Sequence, residues 1–472
     1  MATDTAWFEG AVRPDHVRSL LTRDVPQLAS GQLSLLGCEM SHLRSAPADG
    51  SWTATYLLTV AEPSVGANRT VVAHGTLIPP EAPVPSWKED GTPFGADGWR
   101  CYLPEVRLEL RVEEVDAGLP ALALLTDPAQ ARTLLEGILR RSGAGYDDLR
   151  LASVTPEVNG FKPGLRCTVL CHLDYPAGAD ERWPALVVAK VHHDDTGARV
   201  HRAMQALWSS PLATSEHVTI ARPLAYLPEL KLLVQGWVPG NRTLKDLLHS
   251  ALLDESNETK SELAAAMRTT GRGLADLHRS GVRDGPLVTW TEELGVLRIK
   301  RDKLAPVVPR LGAVTSSVFE RLEAAAAATP PDPSVPVHHS FRPSEVLLAD
   351  GRVGFIDFDK SCQAEPASDI ASFTTKVRHV GMNKLRVDQE DDEEDAVIDD
   401  ETRLMRMSRT NRICEDFLAG YQQRATVSAP RVALWEALEL CSLILSAAKK
   451  ANFARIDSCA FMLQRHLQEH GL

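Results

Sequence analysis

The sequence lacks most of the features that would assign a class at sight. Its eight cysteines, at 38, 101, 167, 171, 362, 414, 441 and 459, include no Cys-x-x-Cys pair, which fits neither a disulfide scaffold nor a cysteine zinc site. Cys167 and Cys171 sit four apart in an apparent strand and leave no complete metal-ligand set. No stretch of about 18 apolar residues occurs, and Met1-Ala2-Thr3-Asp4 is not a basic start followed by an apolar run. A soluble, cytoplasmic protein with no membrane partner is expected. No internal repeat is present, and no Lys/Arg cluster with interleaved aromatics stands out, which argues against a nucleic-acid partner.

The acidic balance is equally local. Ten acids and no base lie between Asp388 and Glu401, and they leave about −2 of the net −12 for the rest of the chain. A block of this kind is ordinarily solvated and disordered. Its sharper alternative is a flap that engages a cationic substrate or a basic partner.

What is there is enough apolar residue, 44% of 472, for two or three structural units. Residues 52–62, 70–78 and 106–115 read as short strands of a β-rich, cap-like unit over 1–150, with a Pro/Gly-rich loop between the second and third. Asp127 and Pro128 predict a helix start, with the helix running to Arg141 and Gly143 beyond its end. Residues 151–240 carry further strands: 165–173 and 183–192 pair as antiparallel neighbours, a helix over 199–208 follows, and a strand over 230–235 is broken by Gly236-Trp237-Val238-Pro239-Gly240. From 241 to 472 apolar residues recur at helical spacing over 244–253, 260–280, 314–328, 410–424, 429–447 and 452–469. The expected fold class is α+β, a strand-rich lobe followed by a helical lobe.

One segment, 336–373, carries the chemistry. It reads Pro336-Val337-His338-His339-Ser340-Phe341-Arg342-Pro343-Ser344-Glu345, a turn at Asp350-Gly351, and then Gly354-Phe355-Ile356-Asp357-Phe358-Asp359. This resembles the catalytic and metal-binding loops of the aminoglycoside phosphotransferase and choline-kinase-like superfamily, H-G-D-x-x-x-x-N followed by I-D-[FW]-[DE]. Glu365-Pro366-Ala367-Ser368-Asp369-Ile370-Ala371 resembles that family's D-P-x-x-D-L-A. Three motifs in order at family spacing cover roughly 151 to 472. The resemblance implies a bilobal protein-kinase-like fold with an antiparallel β N-lobe and a helical C-lobe, ATP or GTP with Mg²⁺ as cofactors, and a small-molecule hydroxyl as substrate. It implies Lys190 on the α and β phosphates, Gln235 and Trp237 in the hinge that contacts adenine, and Asp357 and Asp359 on the metal.

The departures matter as much. Ser340 stands where the family has the aspartate that accepts the acceptor's proton, and serine is no base at neutral pH. Glu345 stands where it has asparagine, and is read either as a metal ligand or as a solvated or ion-paired carboxylate. His339 replaces a glycine and is either a substitute base or a surface or packing histidine; His338 matches a histidine that packs under the loop. On the helix after Lys190, Gln205 takes the place of a glutamate. No G-x-G-x-x-G loop joins the first strands, but Lys162-Pro163-Gly164-Leu165-Arg166 offers two cations, Lys162 and Arg166, for phosphate. That turn, the serine and the Ile-Asp-Phe-Asp ending together resemble a divergent subgroup of the superfamily. Three functions stay open: a phosphotransferase with a degenerate catalytic loop, a pseudokinase that binds nucleotide or ligand and acts through a protein partner, and nucleotidyl transfer or phosphorylation-elimination on the same scaffold.

Overall fold

A computed structural model describes the chain except residues 1–4, 46–50, 63–66, 95–97, 113–118, 144, 163, 255, 312–316, 350 and 384–398. Most of the acidic run, part of the Pro/Gly loop, Pro163 and Asp350 therefore lie outside the described residues.

The chain opens with helices α1 (Ala6–Ala11), α2 (Pro14–Asp24) and α3 (Pro26–Ala29). Six strands follow: β1 (Ser34–Ser45), β2 (Trp52–Glu62), β3 (Ala67–Leu77), β4 (Glu89–Asp90), β5 (Arg100–Leu103) and β6 (Leu108–Val112). They form one antiparallel sheet in the order β1-β2-β3-β6-β5-β4. Phe8, Leu21, Tyr56, Leu58 and Leu110 bury its inner face, and this core runs on into the helical lobe through Trp290, Leu438 and Leu463. β1 went unread in the sequence because its apolar residues are broken by Gly37, Glu39 and Ser41.

The next helices belong to a different core. In α4 (Leu122–Thr126) and α5 (Pro128–Arg141), Asp127 caps α5 as the sequence predicts, its carboxylate accepting from the Gln130 N–H at 2.8 Å. Leu125, Leu135 and Ile138 pack with Val169, Ala189 and Val234. These three belong to a five-stranded antiparallel sheet, β11-β12-β9-β8-β7, made of β7 (Ser153–Lys162), β8 (Arg166–Asp174), β9 (Leu186–His192), β11 (Pro223–Leu227) and β12 (Leu232–Gly236). Between β9 and β11 run α6 (Thr196–Trp208) and β10 (Val218–Ile220). The side-chain period of two divides β9 between two surroundings. Val187, Ala189 and Val191 enter the core, while Lys190 and His192 face the other way.

The rest of the chain is mostly helical. After β13 (Arg242–Thr243) come α7 (Leu244–Leu253), α8 (Asn257–His278), α9 (Trp290–Leu304) and α10 (Val318–Ala328). The motif segment supplies β14 (Val335–Val337), β15 (Val346–Ala349), β16 (Arg352–Phe355) and β17 (Cys362–Ala364). β15 and β16 pair antiparallel around a turn with Gly351 at φ +80°, and β10 joins β16 in parallel. α11 (Pro366–Asn383), α12 (Asp400–Gln422), α13 (Ala429–Ala448) and α14 (Phe453–His470) complete the lobe. The last three acids of the acidic run start α12: Asp399 caps it, accepting from the Thr402 N–H at 2.7 Å, and Asp400 and Glu401 fill its first turn, where the helix dipole favours negative charge.

Two glycines set how closely α8 and α12 approach. A Cβ on Gly271 would lie 2.1 Å from the Phe417 carbonyl oxygen, and one on Gly420 would lie 2.1 Å from that of Arg268. Only hydrogen fits there. The fold is thus α+β, a strand-rich lobe and a helical lobe behind a β-rich N-terminal unit, as expected.

Candidate active site

The β7–β8 hairpin brings its tip over the end of β16. Arg166 is the register partner of His192, and Thr168 that of Lys190, so Arg166, His192 and Lys190 line one face of the sheet. Opposite them Asp357 and Asp359 follow β16, one residue apart. Lys190 Nζ donates to Asp357 Oδ1 at 2.8 Å and to Asp359 Oδ1 at 2.9 Å. The Arg166 guanidinium donates to Asp357 Oδ1 at 3.3 Å and Oδ2 at 3.5 Å, and also to Asp359 Oδ2. His192 Nε2 stands 3.5 Å from Asp359 Oδ2. From α6, Arg199 donates to the backbone carbonyls of Asp359, at 2.9 Å, and Ser361, at 3.2 Å.

Desolvation alone would neutralise such a cluster, and charge pairing prevents it. Burial opposes ionisation of Asp357, but Lys190 and Arg166 hold its carboxyl below the ordinary value. Burial opposes that of Asp359 too, and the His192 hydrogen bond with the charge of Lys190 holds it far below the carboxylate range. Burial would strip the proton from Lys190, but Asp359 and Asp357 raise its affinity instead. Lys162, at the hairpin tip, makes no ion pair among the described residues; burial, with the charge of Arg166 beside it, lowers its pKa against the pull of Asp357.

The loop before β15 is held from beneath. Asp369 on α11 accepts the backbone N–H groups of His338 and His339, each at 2.7 Å. Its charge is buried, and the hydrogen bond from His278 Nε2 at 3.2 Å keeps its pKa low. His278 ends α8 and its Nδ1 meets the Tyr421 hydroxyl of α12 at 2.9 Å, so the α8–α12 contact bears on the loop. His338 donates through Nε2 to the Ile356 carbonyl at 2.7 Å, which ties the loop to the strand that delivers Asp357. That leaves Nδ1 as acceptor, 3.4 Å from Ser340 Oγ. Phe341, Phe373 and Phe417 stack below and Phe355 meets Phe341 edge-on, with centroids 4.3–5.2 Å apart. His339 and Asp357 both take left-handed backbone, φ +61° and +66°, which costs non-glycine residues about 1–2 kcal/mol each and persists only where the surroundings impose it.

Not every expected residue joins the cluster. Glu345 is buried, with its Oε1 accepting from Arg342 Nε at 2.6 Å and Nη2 at 2.5 Å. Asp357, Asp359 and Glu345 do not bring three ligand oxygens within 4.8 Å of one another. Gln205 is exposed on α6 and does not pair with Lys190, whose partners are the two aspartates themselves. Burial works against a charge on His339, but hydrogen bonds to Cys362 and to Glu293, 3.5 Å away, raise its pKa to about 10. A protonated imidazole gives a proton; it does not take one. Gln235 is buried on β12 opposite Val188, and Trp237 beyond it is 41% exposed. Sequence reasoning missed His192, two residues beyond Lys190 on the same strand face, and Arg199; the period of two could have found the first.

The Asp357–Asp359 pair suits a hard divalent cation, since both carboxylates are held ionised and are spaced to offer oxygens together. The guanidinium of Arg166 covers three of their four oxygens. A cation bound there requires Arg166 to withdraw. A cavity of about 510 Å³ is lined by Trp290, Glu323, Asp332, Glu365 and Arg431 among others and takes no residue from the cluster.

Residues 179–405 match the model of the phosphotransferase enzyme family (APH), and the chain resembles the aminoglycoside phosphotransferase and choline-kinase-like superfamily. No curated protein matches the chain. Among solved structures it is similar to a glucosamine kinase at 16% identity, with 96% of this chain and 100% of that one covered and a TM-score of 0.48. A glucosamine kinase in complex with glucosamine, ADP and inorganic phosphate gives 15% identity, 99% and 100% coverage and a TM-score of 0.46. The choline kinase LicA from Streptococcus pneumoniae gives 14% identity, 72% and 99% coverage and a TM-score of 0.44. No described helix is long and apolar enough to cross a membrane.

Proposed function

We propose, from the premise that residues 179–405 match the phosphotransferase enzyme family, that the chain is a nucleotide-dependent phosphotransferase acting in the cytoplasm on a hydroxyl of a small molecule. The observation that carries this reading is the meeting of Lys190 with Asp357 and Asp359, from opposite lobes, at 2.8 and 2.9 Å. Phosphoryl transfer needs little covalent chemistry from a protein and depends on positioned charge. Lys190 binds a phosphate of ATP or GTP. Arg166 swings from the carboxylates to the phosphates and Lys162 joins it there, where side-chain cations do what backbone N–H groups do in a glycine-rich loop. Gln235 and Trp237 flank the base. When bound, Mg²⁺ would be held by Asp357 and Asp359 and supplies charge neutralisation of the transferred group. Within this reading residues 151–240 hold the nucleotide, 241–472 hold the metal and acceptor, and 1–150 form a cap-like unit whose last two helices, α4 and α5, pack against the nucleotide-holding sheet.

Acceptor activation is the weak half of the site. Among the described residues Ser340 Oγ has only His338 Nδ1 as a hydrogen-bond partner, and that histidine spends its other nitrogen on Ile356. His338 therefore acts through loop geometry, and a cationic His339 stabilises developing charge. Nucleotide binding with and without Mg²⁺, on wild type and Asp357→Ala, tests the assignment: metal-dependent binding lost in the variant supports it, and unchanged binding or turnover in the variant overturns it.

A second reading, a pseudokinase that binds nucleotide and acts through a protein partner, draws on the same serine and on Arg166 seated across the carboxylates. Product analysis after incubation with ATP separates the two, since a phosphorylated acceptor excludes the second.

A further inference from the structure

Glu436 on α13 and His466 and His470 on α14 lie outside the cluster described above, and their ligand atoms stand within 4.8 Å of one another. His466 and His470 are one helical turn apart, so both rings leave the same side of α14; their centroids are 4.5 Å apart. Glu436 and His466 are buried, whereas His470 is exposed.

The hydrogen bonds fix which atoms are left over. His466 Nε2 lies 2.8 Å from the Ala433 carbonyl, which only accepts, so Nε2 carries the hydrogen. Glu436 Oε1 accepts from Thr374 Oγ1 at 2.5 Å and from Arg378 Nη1 at 2.6 Å. What remains is the His466 Nδ1 lone pair facing Glu436 Oε2 at 3.5 Å. Two acceptors at that separation repel unless a proton or a metal cation lies between them. Ligand atoms about 2.0–2.1 Å from a tetrahedral zinc stand about 3.3–3.4 Å apart, close to that separation. Each buried ligand also has the outer support that metal-binding side chains use: a backbone carbonyl holds the ring tautomer of His466, and a hydroxyl and a guanidinium hold Glu436. Arg378 is positive, but it is faced by Glu469 as well as Glu436, so it does not leave the site with unopposed positive charge.

We propose that Glu436, His466 and His470 bind one zinc-type divalent cation, with the open position toward solvent taken by water. The ion links α14 to α13, and through Thr374 and Arg378 to α11, the helix that carries Asp369. Its chemistry differs from the oxygen-only pair at Asp357 and Asp359, and nothing in it depends on phosphoryl transfer.

The test uses full-length protein freed of metal by a chelator and titrated with Zn²⁺, read by calorimetry and by metal content after desalting. The expected result is one equivalent retained, weakened at least about tenfold in His470→Ala, which is exposed and spares the core, and in Glu436→Gln, and retained in Asp357→Ala. Zinc should also raise the thermal midpoint of wild type and not of His470→Ala. No retained zinc in wild type, binding unaffected by His470→Ala, or binding lost only in Asp357→Ala would overturn the proposal.

Discussion

Lys190 Nζ stands 2.8 Å from Asp357 Oδ1 although 167 residues separate them in the chain. One end is fixed by the alternation of β9 and the other by a left-handed residue at the end of β16, so the contact holds the strand-rich lobe to the helical lobe. Replacing Lys190 by methionine leaves the buried Asp359 and the half-buried Asp357 short of a partner. Loss of about 3–5 kcal/mol of stability is expected, as for other buried pairs broken on one side, together with loss of nucleotide binding. Denaturant midpoints and a nucleotide titration check both.

Arg166 competes with any cation for Asp357 and Asp359. Arg166→Gln should therefore tighten Mg²⁺ binding measured without nucleotide, by about tenfold for each 1.4 kcal/mol of competition removed, while weakening the nucleotide complex. Calorimetric titration of both ligands reads the opposing signs, and a variant that weakens both refutes the exchange.

Ser340→Asp restores a carboxylate at the end of a loop that Asp369 already holds in place. If the rest of the site is competent, turnover with ATP and a responsive acceptor should rise by about 10²–10⁴ over wild type. Equal rates would mean that another group takes the acceptor's proton.

The hydrogen bonds of His339 to Cys362 and Glu293 make stability depend on pH. The folded-state pKa of His339 is raised from 6.5 to about 10, so its contribution is complete below about 6.5 and is lost as pH rises to about 10. In that window the native state holds the extra proton and stability falls with pH, by at most about 1.4 kcal/mol per unit. His339→Gln should flatten the slope in urea melts between pH 7 and 10.

Gly271→Ala and Gly420→Ala each place a methyl group against a backbone carbonyl. Each should cost about 1–3 kcal/mol in thermal or chemical denaturation. Loosening of His278 and Tyr421 should also carry the effect to the loop at His338, lowering nucleotide turnover more than a surface Gly160→Ala control.

Much of this was readable from residue order. Asp127 with Pro128 marked a helix start that the structure repeats, and β2 occupies the residues whose β-branched and aromatic content called for it. The motif segment was readable because its residues are consecutive and its spacing is short. Other elements left no such signal: β1 has an interrupted apolar pattern, and α9, Trp290–Leu304, carries charge on most of its surface.

The sequence by itself determined the strand-rich and helical lobes and the residues able to carry charge at the site, since those follow from local periodicity and side-chain chemistry. Tertiary structure alone decided who pairs with whom. It gave Lys190 the two aspartates in place of Gln205, set Arg166 across their oxygens, bound Glu345 to Arg342, and turned Glu436, His466 and His470 toward one point. Electrostatic partners are set by distance and burial, and neither is written in the spacing of residues along a chain.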